Sequence, residues 1–213
     1  MDDIIDISLP LTTGMVCWPG SDGFRLSKTM EMSKGDPANN SWIDTDVHIG
    51  THIDAPWHSL ANGMTIDQLP LNILIGKTFV AHLPDLTEIT AKTLDDHSIP
   101  KETKRLLFHT SNSKIWEKND NEFKKDFVAL TADGAEWIVN RGIQLVGIDY
   151  LSIQQYGESM ETHNIMLRKN IIIVEGLNLT GVEQGIYELI CLPLKIMDSE
   201  GSPARAVLRR IQK

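Results

Sequence analysis

Residues 42–58, WIDTDVHIGTHIDAPWH, carry the pattern that decides both the fold and the site of this chain. Within eleven positions they place His48, His52, Asp54 and His58. Imidazole and carboxylate groups are common ligands of divalent metals, and histidine also carries protons near neutral pH. The stretch therefore predicts a metal site with a proton carrier beside it.

The hydrophobic pattern of this stretch has a period of two. β-Branched residues fill every odd position from Ile43 to Ile53, and polar residues or glycine fill the even positions. This alternation is typical of a half-buried strand. Gly50 and Pro56 disfavour a helix, although the two histidines are four residues apart. We therefore expect a half-buried strand whose polar face carries His48, His52 and Asp54, in which Gly50 either leaves room for a metal or lets the strand bend.

The alternative is an ordinary solvent-exposed face of an edge strand. Such faces usually carry Lys, Glu, Thr or Ser. Here no Lys or Arg occurs between Lys34 and Lys77, although the chain has 20 of them. The histidines would repel one another once protonated, and a bound metal would remove that conflict.

Composition restricts the class of protein. The 213 residues are 41% hydrophobic and 23% charged, as in globular proteins, and the net charge of −9 disfavours nucleic-acid and anionic-membrane partners. Two isolated cysteines make no disulfide framework, which points to a reducing compartment. The N-terminus has no secretory pattern and no apolar run reaches the length of a membrane span, so we expect a cytoplasmic protein.

Strand and helix patterns alternate along the chain. Apolar runs at 77–83, 105–110, 143–149 and 171–174 predict strands, and 187–197 with 204–211 predicts a hairpin. A helix should begin at Thr131 and end at Gly142, and a shorter one should end near Asn170. These patterns predict a single α/β domain over residues 1–213, built on a mixed sheet or partial barrel.

The rest of the site should come from another part of the chain. His163 lies on the predicted short helix, and Glu175 follows the buried run IIIV. A carboxylate there is costly unless it is paired or binds a cation. The alternative is that Glu175 pairs with Arg168 or Arg205 and that His163 is an ordinary helix residue.

Other polar and aromatic residues have two interpretations each. Asp149 and Ser152 follow a predicted buried strand, where they either support the site or cap a turn. Trp18 and Trp57 either form an aromatic wall for an aryl substrate or, in the case of Trp57, pack in the core.

The motif H-x-G-T-H-x-D-x-P-x-H at 48–58 resembles the signature of the cyclase family, which includes bacterial kynurenine formamidases and isatin hydrolases. The WPG at 18–20 and segments 130–153, 162–179 and 201–208 resemble that family as well. The resemblance implies a swivelling β/β/α fold and a homodimer or homotetramer. It implies that His48, His52 and Asp54 hold a first metal, that Asp54 bridges to a second held by His163 and Glu175, and that His58 transfers protons.

These implied roles predict a hydrolase that uses metal-activated water on a small-molecule substrate. The nitrogen and oxygen donors suit two Zn²⁺ ions per chain, or Mn²⁺. The resemblance favours an arylformamidase of tryptophan catabolism, converting N-formylkynurenine to kynurenine and formate, with Trp18 against the substrate. The pattern of the kynurenine formamidases within that family reads closer to WPGDT and GIDTPS, whereas this chain has WPGSDG and GIDYLSIQQYG. A cyclic amide such as isatin, a lactone, or metal binding without catalysis therefore stay as alternatives.

Overall fold

The computed structural model describes residues 4–118 and 122–211; residues 1–3, at the start of the predicted non-secretory N-terminus, and residues 119–121 and 212–213 lie outside the described part. The strands are β1 (Ile4–Asp6), β2 (Phe24–Met30), β3 (Asn40–Thr45), β4 (His52–Asp54), β5 (Ile75–Leu83), β6 (Arg105–Thr110), β7 (Leu145–Ile148), β8 (Ile172–Glu175), β9 (Gly185–Pro193) and β10 (Gly201–Arg210). The α-helices are α1 (Leu71–Leu74), α2 (Ala91–Asp96), α3 (Ser113–Glu117), α4 (Ala132–Asn140) and α5 (Glu161–Leu167).

The main sheet closes on itself. Its eight strands follow the order β1-β10-β4-β8-β7-β6-β5-β9, and β9 also pairs with β10. The strands from β10 to β9 thus form a barrel-like ring of seven, beside which β1 extends along β10. Strands β5 to β8 pair in parallel, and the other pairs are antiparallel. The predicted mixed α/β sheet is confirmed, and its closure removes the unpaired edges that invite aggregation.

Successive side chains along the strands point to opposite faces of the sheet, and this alternation divides the core into two layers. All seven ring strands contribute to one apolar cluster, which fills the barrel and includes Ile53, Val80, Leu107, Leu145 and Leu208. The intervening side chains of β5 to β8 face the other way and pack against α4 and α5. Each fully buried side chain of this size contributes about 1.5–3 kcal/mol to folding. The barrel is therefore a packed and rigid support for residues at its strand ends.

Several predicted elements are confirmed with small shifts in their bounds. The Thr131 hydroxyl accepts a hydrogen bond from the Gly134 N–H at the start of α4, and Gly142 follows the helix at φ +66°. Asn170 has φ +55° after α5. The predicted C-terminal hairpin is the antiparallel pair β9–β10.

The prediction of a single strand from 43 to 54 is wrong, although the chain does change direction near Gly50, where a bend is one of the two expectations. The stretch contains β3 and β4, separated by a turn in which Gly50 has φ +55°. β3 pairs only with β2 in a separate two-stranded sheet, where Trp42 is 67% exposed and Ile43 is 57% exposed. β-Branched residues favour extended backbone whether or not they are buried, so the alternation did not report a buried face.

The register of β4 places the polar residues. β4 lies between β8 and β10, with His52 opposite Glu175 and Asp54 opposite Gly201. The preceding turn is fixed from two sides, because the Thr51 hydroxyl donates to the Gly176 carbonyl at 2.5 Å and accepts from the Leu9 N–H at 2.8 Å. Strand pairing thus brings together residues that are more than a hundred positions apart.

Gly176 permits this close approach, and its replacement should be costly. It has φ +67°, and a Cβ there would lie 1.9 Å from the Gly50 carbonyl oxygen. Gly181 offers a matched control, because it has φ +72° and nothing within 4 Å of an added Cβ. Gly181→Ala should cost about 1–2 kcal/mol of unfolding free energy from backbone strain. Gly176→Ala should cost about 1–3 kcal/mol more, because two backbone segments must separate. Urea unfolding measures both, and equal losses would show that the predicted clash is relieved at no cost.

Candidate metal centre

The structure brings six side chains together at one end of the barrel. His52 and Asp54 lie on β4, His48 lies in the turn before it, and His58 ends the 3-10 helix Pro56–His58. His163 comes from α5, and Glu175 is the last residue of β8. All the residues predicted from the sequence as metal ligands or proton carrier are therefore neighbours in space.

The carboxylate of Asp54 lies at the centre of this cluster. It is fully buried. Its Oδ1 is 2.9 Å from His48 Nδ1 and 3.6 Å from His52 Nε2, and its Oδ2 is 3.6 Å from His163 Nε2. Neither oxygen has a hydrogen-bond partner of good geometry among the described residues. A buried carboxylate without hydrogen bonds is costly, so the donor set fits a cation at this position.

The rings of His52 and His163 are each oriented by a contact at Nδ1, the ring nitrogen that faces away from the carboxylates. His52 Nδ1 is 3.0 Å from the Gly50 carbonyl oxygen, which can only accept, so Nδ1 carries the proton. His163 Nδ1 is 3.2 Å from Gln154 Oε1 in the same arrangement. In the neutral form of both rings Nε2 then carries the lone pair, and this atom faces the carboxylates. This is the arrangement that metal-ligating histidines usually adopt.

Glu175 faces the same centre. Its Oε1 accepts a hydrogen bond of 2.7 Å from the Ile153 N–H and lies 3.2 Å from His163 Nε2. Its Oε2 lies 3.4 Å from His52 Nε2. Among the described residues its ion-pair partners are these histidines, while Arg205 pairs with Asp6. The alternative in which Glu175 pairs with an arginine is therefore wrong.

Electrostatic interactions between the histidines and the carboxylates of the cluster favour the ionised form of the carboxylates. Burial by itself raises the pKa of Asp54, but the charges and contacts of His58, His163 and His48 outweigh it and hold that pKa well below its ordinary value. Burial lowers the pKa of His48 and of His163, yet the nearby carboxylates outweigh it and raise both to about 9. In both cases the histidine proton occupies the position in which a divalent cation would bind, so cation and proton compete.

His58 has the opposite electrostatic character. Burial is the largest influence and lowers the pKa of its imidazole, and the charge of Asp54 only partly compensates. Its ring lies 4.3 Å from the ring of His48 and 5.8 Å from that of His163, between ring centroids. At neutral pH His58 is therefore a neutral group able to accept a proton.

The donor atoms converge in two groups that share Asp54. One group contains His48, Asp54 and His58, and the other contains His52, Asp54 and Glu175; within each, the ligand atoms lie within 4.8 Å of one another. The family pattern would instead group His48 with His52 and make His58 a proton carrier. The position of Asp54 between two groups agrees with a bridging role, and the role of His58 requires an experiment.

A cavity of about 480 Å³ opens onto this cluster. That size suits a small organic molecule. Trp18 forms part of its wall and is supported by Phe123 and Tyr156, with ring centroids 5.1 and 5.5 Å away. Trp57 does not line this cavity and is 39% exposed, so it fits neither the predicted wall nor the predicted core.

The structure separates the interpretations of Asp149 and Ser152. Asp149 is fully buried, and its carboxylate accepts hydrogen bonds from the backbone and hydroxyl groups of Thr110 and Ser113 at 2.7–3.1 Å. It therefore fixes a loop and does not reach the cavity. Ser152 lines the cavity, and its hydroxyl accepts from the Gln154 N–H at 3.1 Å.

Sequence reasoning missed Gln154, Asp46 and Glu158, which line the cavity with the predicted residues. Gln154 and Glu158 lie in the loop between β7 and α5, where no periodic pattern marks them. Asp46 occupies an even position, as His48, His52 and Asp54 do. In a straight strand, however, it would lie upstream of the metal ligands. The turn at 46–51 returns it to the cavity.

The family of this chain follows from its similarity to known proteins. A family model described as "Putative cyclase" matches residues 5–155. The chain belongs to this cyclase family. It is 42% identical over 186 residues to Cyclase-like protein 1 of Oryza sativa subsp. japonica, with 83% of this chain and 67% of the relative covered. It is 33% identical over 208 residues to a kynurenine formamidase of Bacillus cereus, with 97% of each chain covered.

Solved structures of similar fold support the membership in the cyclase family. One, described as a potential metal-dependent hydrolase with cyclase activity, has a TM-score of 0.84 and 31% identity over 98% of each chain. Isatin hydrolase A from Labrenzia aggregata has a TM-score of 0.81 at 21% identity, covering 98% of this chain and 94% of its own, which shows a shared fold. Within the described ranges, no helix has the length and apolar character needed to cross a membrane.

Gly201 leaves the space that His48 occupies. A Cβ at this position would lie 2.6 Å from His48 Cε1 and 2.9 Å from Nε2. We expect Gly201→Ala to displace the imidazole and to weaken zinc binding about 10-fold or more, as loss of ligand orientation usually does. Competition with a chromophoric chelator measures the affinity. Gly185→Ala is the control, because its Cβ would meet only Tyr187 at an ordinary 3.7 Å. Equal zinc affinities in the two variants would contradict the placement of His48 in the centre.

Proposed function

We propose that this protein is a metal-dependent hydrolase that cleaves an amide C–N bond, with an aryl formamide as substrate. The observation that carries the proposal is the buried Asp54 carboxylate, which has no hydrogen-bond partner within the described part of the chain and faces three histidines beneath a cavity of about 480 Å³. A structural site would have no need of such a cavity. The metal-dependent hydrolase neighbour and the kynurenine formamidase relative support the same class of reaction.

The chemistry of the donors favours Zn²⁺, with Mn²⁺ as the alternative ion. The converging groups are imidazoles and carboxylates, and neither cysteine belongs to them. Structural zinc sites are usually closed and rich in cysteine, whereas catalytic sites use such nitrogen and oxygen donors and leave a position open. We assign His48, His52, Asp54, His163 and Glu175 as the residues that hold two ions, with Asp54 between them.

When bound, a divalent cation activates water and polarises the scissile carbonyl group. His58 accepts the proton that the attacking water loses, because its lowered pKa keeps it neutral at physiological pH. It then donates that proton to the leaving nitrogen as the C–N bond breaks. The products of an aryl formamide are an arylamine and formic acid, which ionises to formate and releases one proton to the solvent, so atoms and charge balance without another reactant. The side chain of Trp18 provides an apolar surface for the aryl group.

N-formylkynurenine is our first choice of substrate, with kynurenine as the product in tryptophan catabolism. The relative in Bacillus cereus carries the name of that activity. The second choice is a cyclic amide or lactone. Its support is that the segments departing from the family pattern, 18–23 and 147–157, include residues that line the cavity. We further propose a cytoplasmic homodimer or homotetramer that acts without nucleic-acid or membrane partners.

Removal of the metal should abolish hydrolysis reversibly. Dialysis against a chelator should remove turnover of aryl formamides, and Zn²⁺ or Mn²⁺ should restore it. Asp54→Asn keeps the size of the side chain but removes the shared charge, so metal content should fall below one ion per chain by elemental analysis. Asp85→Asn, at an exposed position, is the control with the same loss of charge. Full turnover by the metal-free protein would refute the proposal.

Replacement of His58 should separate proton transfer from metal binding. His58→Ala should retain the metal content of the wild type while kcat falls about 10²–10⁴-fold, the usual contribution of a general base. His97→Ala, which removes a histidine outside the centre, should change neither quantity. Loss of metal together with activity would make His58 a ligand, and wild-type kcat would remove it from the mechanism.

A further inference from the structure

The cavity above the centre has a one-sided charge. Its lining outside the ligand cluster contains the charged residues Asp46 and Glu158, and no Lys or Arg among the described residues lines it. A third carboxylate, Glu200, lies 3.8 Å from His48 Nε2 through its Oε1 atom. The walls are therefore acidic as well as apolar.

Asp46 is held in place as a carboxylate. Its Oδ1 accepts a hydrogen bond of 3.0 Å from the His48 N–H, and its Oδ2 accepts one of 2.8 Å from the Ser21 hydroxyl. Within the described residues it has no ion pair with Lys or Arg.

Glu158 supplies the second charge in the lining of the cavity. It lies in the loop between β7 and α5, and it is exposed while lining the cavity, so it stands at the mouth. A cation close to this wall, Lys125, places its Nζ 5.2 Å from the centre of the Tyr156 ring and does not line the cavity. Outside the ligand cluster, a ligand in the cavity consequently meets two carboxylates and, among the described residues, no lysine or arginine side chain.

We propose that Asp46 and Glu158 select substrates by charge, so that the site accepts aryl amides with a cationic or neutral substituent and discriminates against those with only a carboxylate. The inference rests on the proposed hydrolase function, which it narrows to a class of substrate. A substituent carboxylate would be repelled in a partly desolvated cavity, whereas an ammonium group would be attracted. In N-formylkynurenine the ammonium group is the one that these carboxylates would recognise.

Three matched formanilides test this selection. They carry an aminomethyl, a methyl or a carboxylate group at the meta position, which gives a cation, a neutral compound and an anion of similar size. We expect kcat/KM to be highest for the cation and at least about 10-fold lower for the anion, since two partly screened charge pairs are worth roughly that factor. High salt should reduce the difference.

Variants of Glu158 and Asp46 test whether the cavity wall causes the preference for cationic substrates. Glu158→Gln should reduce the preference for the cation over the anion several-fold, mainly through KM. Glu136→Gln is the matched control, because it makes the same change of net charge on α4, outside the cavity. Asp46→Asn should act in the same direction as Glu158→Gln. An unchanged preference in both wall variants would overturn the assignment.

Binding to the His58→Ala protein distinguishes this inference from the proposed reaction. Calorimetric titration of the metal-loaded variant gives Kd for each compound in the absence of turnover. The expected order of affinity is cation, neutral, anion. If no compound is hydrolysed by the wild type but this order of Kd is found, the reaction is wrong and the charge selection stands. If all are hydrolysed with equal kcat/KM, if the anion is preferred, or if none binds, the charge selection is overturned.

Discussion

The buried carboxylate of Asp54 is the constraint around which the site is organised. It carries a negative charge in the interior, the residues that the structure describes give it no hydrogen bond, and the surrounding histidines compensate for the charge. Such a group is a liability for folding unless a cation binds there. Its neighbours are placed accordingly: Gly50 and Gln154 contact Nδ1 of His52 and of His163, so that Nε2 of each ring faces the carboxylates and is available to a proton or a cation.

The barrel supplies the rigidity that this arrangement needs. β4 is only three residues long, yet it is paired on both sides, with His52 opposite Glu175 across one ladder and Asp54 opposite Gly201 across the other. Closure of the sheet fixes both ladders. The two glycines that follow β8 and begin β10 let the backbone and the His48 ring come close without steric conflict. Strand pairing therefore fixes the positions of His52, Asp54 and Glu175, while groups in the turn and the loop orient the histidine rings.

The sequence predicted which residues come together at the site better than it predicted the course of the chain between them. The spacing from His48 to His58 indicated metal chemistry, but the strand parity used to explain it failed, since Gly50 turns the chain and β3 leaves the barrel. Glu175 was found because a carboxylate at the end of a buried strand needs a partner. Gln154, Asp46 and Glu158 could not be found, because loop residues converge only through tertiary structure. Those same residues form the cavity walls, which explains why the sequence left the substrate open.

Anomalous diffraction at the zinc edge, from crystals of the zinc-reconstituted protein, tests the central claim most directly. The account predicts anomalous density on both sides of Asp54, with each carboxylate oxygen about 2.0–2.2 Å from an ion. Nε2 of His52 and of His163 should point toward these ions. Absence of anomalous density within that distance of either oxygen of Asp54 would contradict the account.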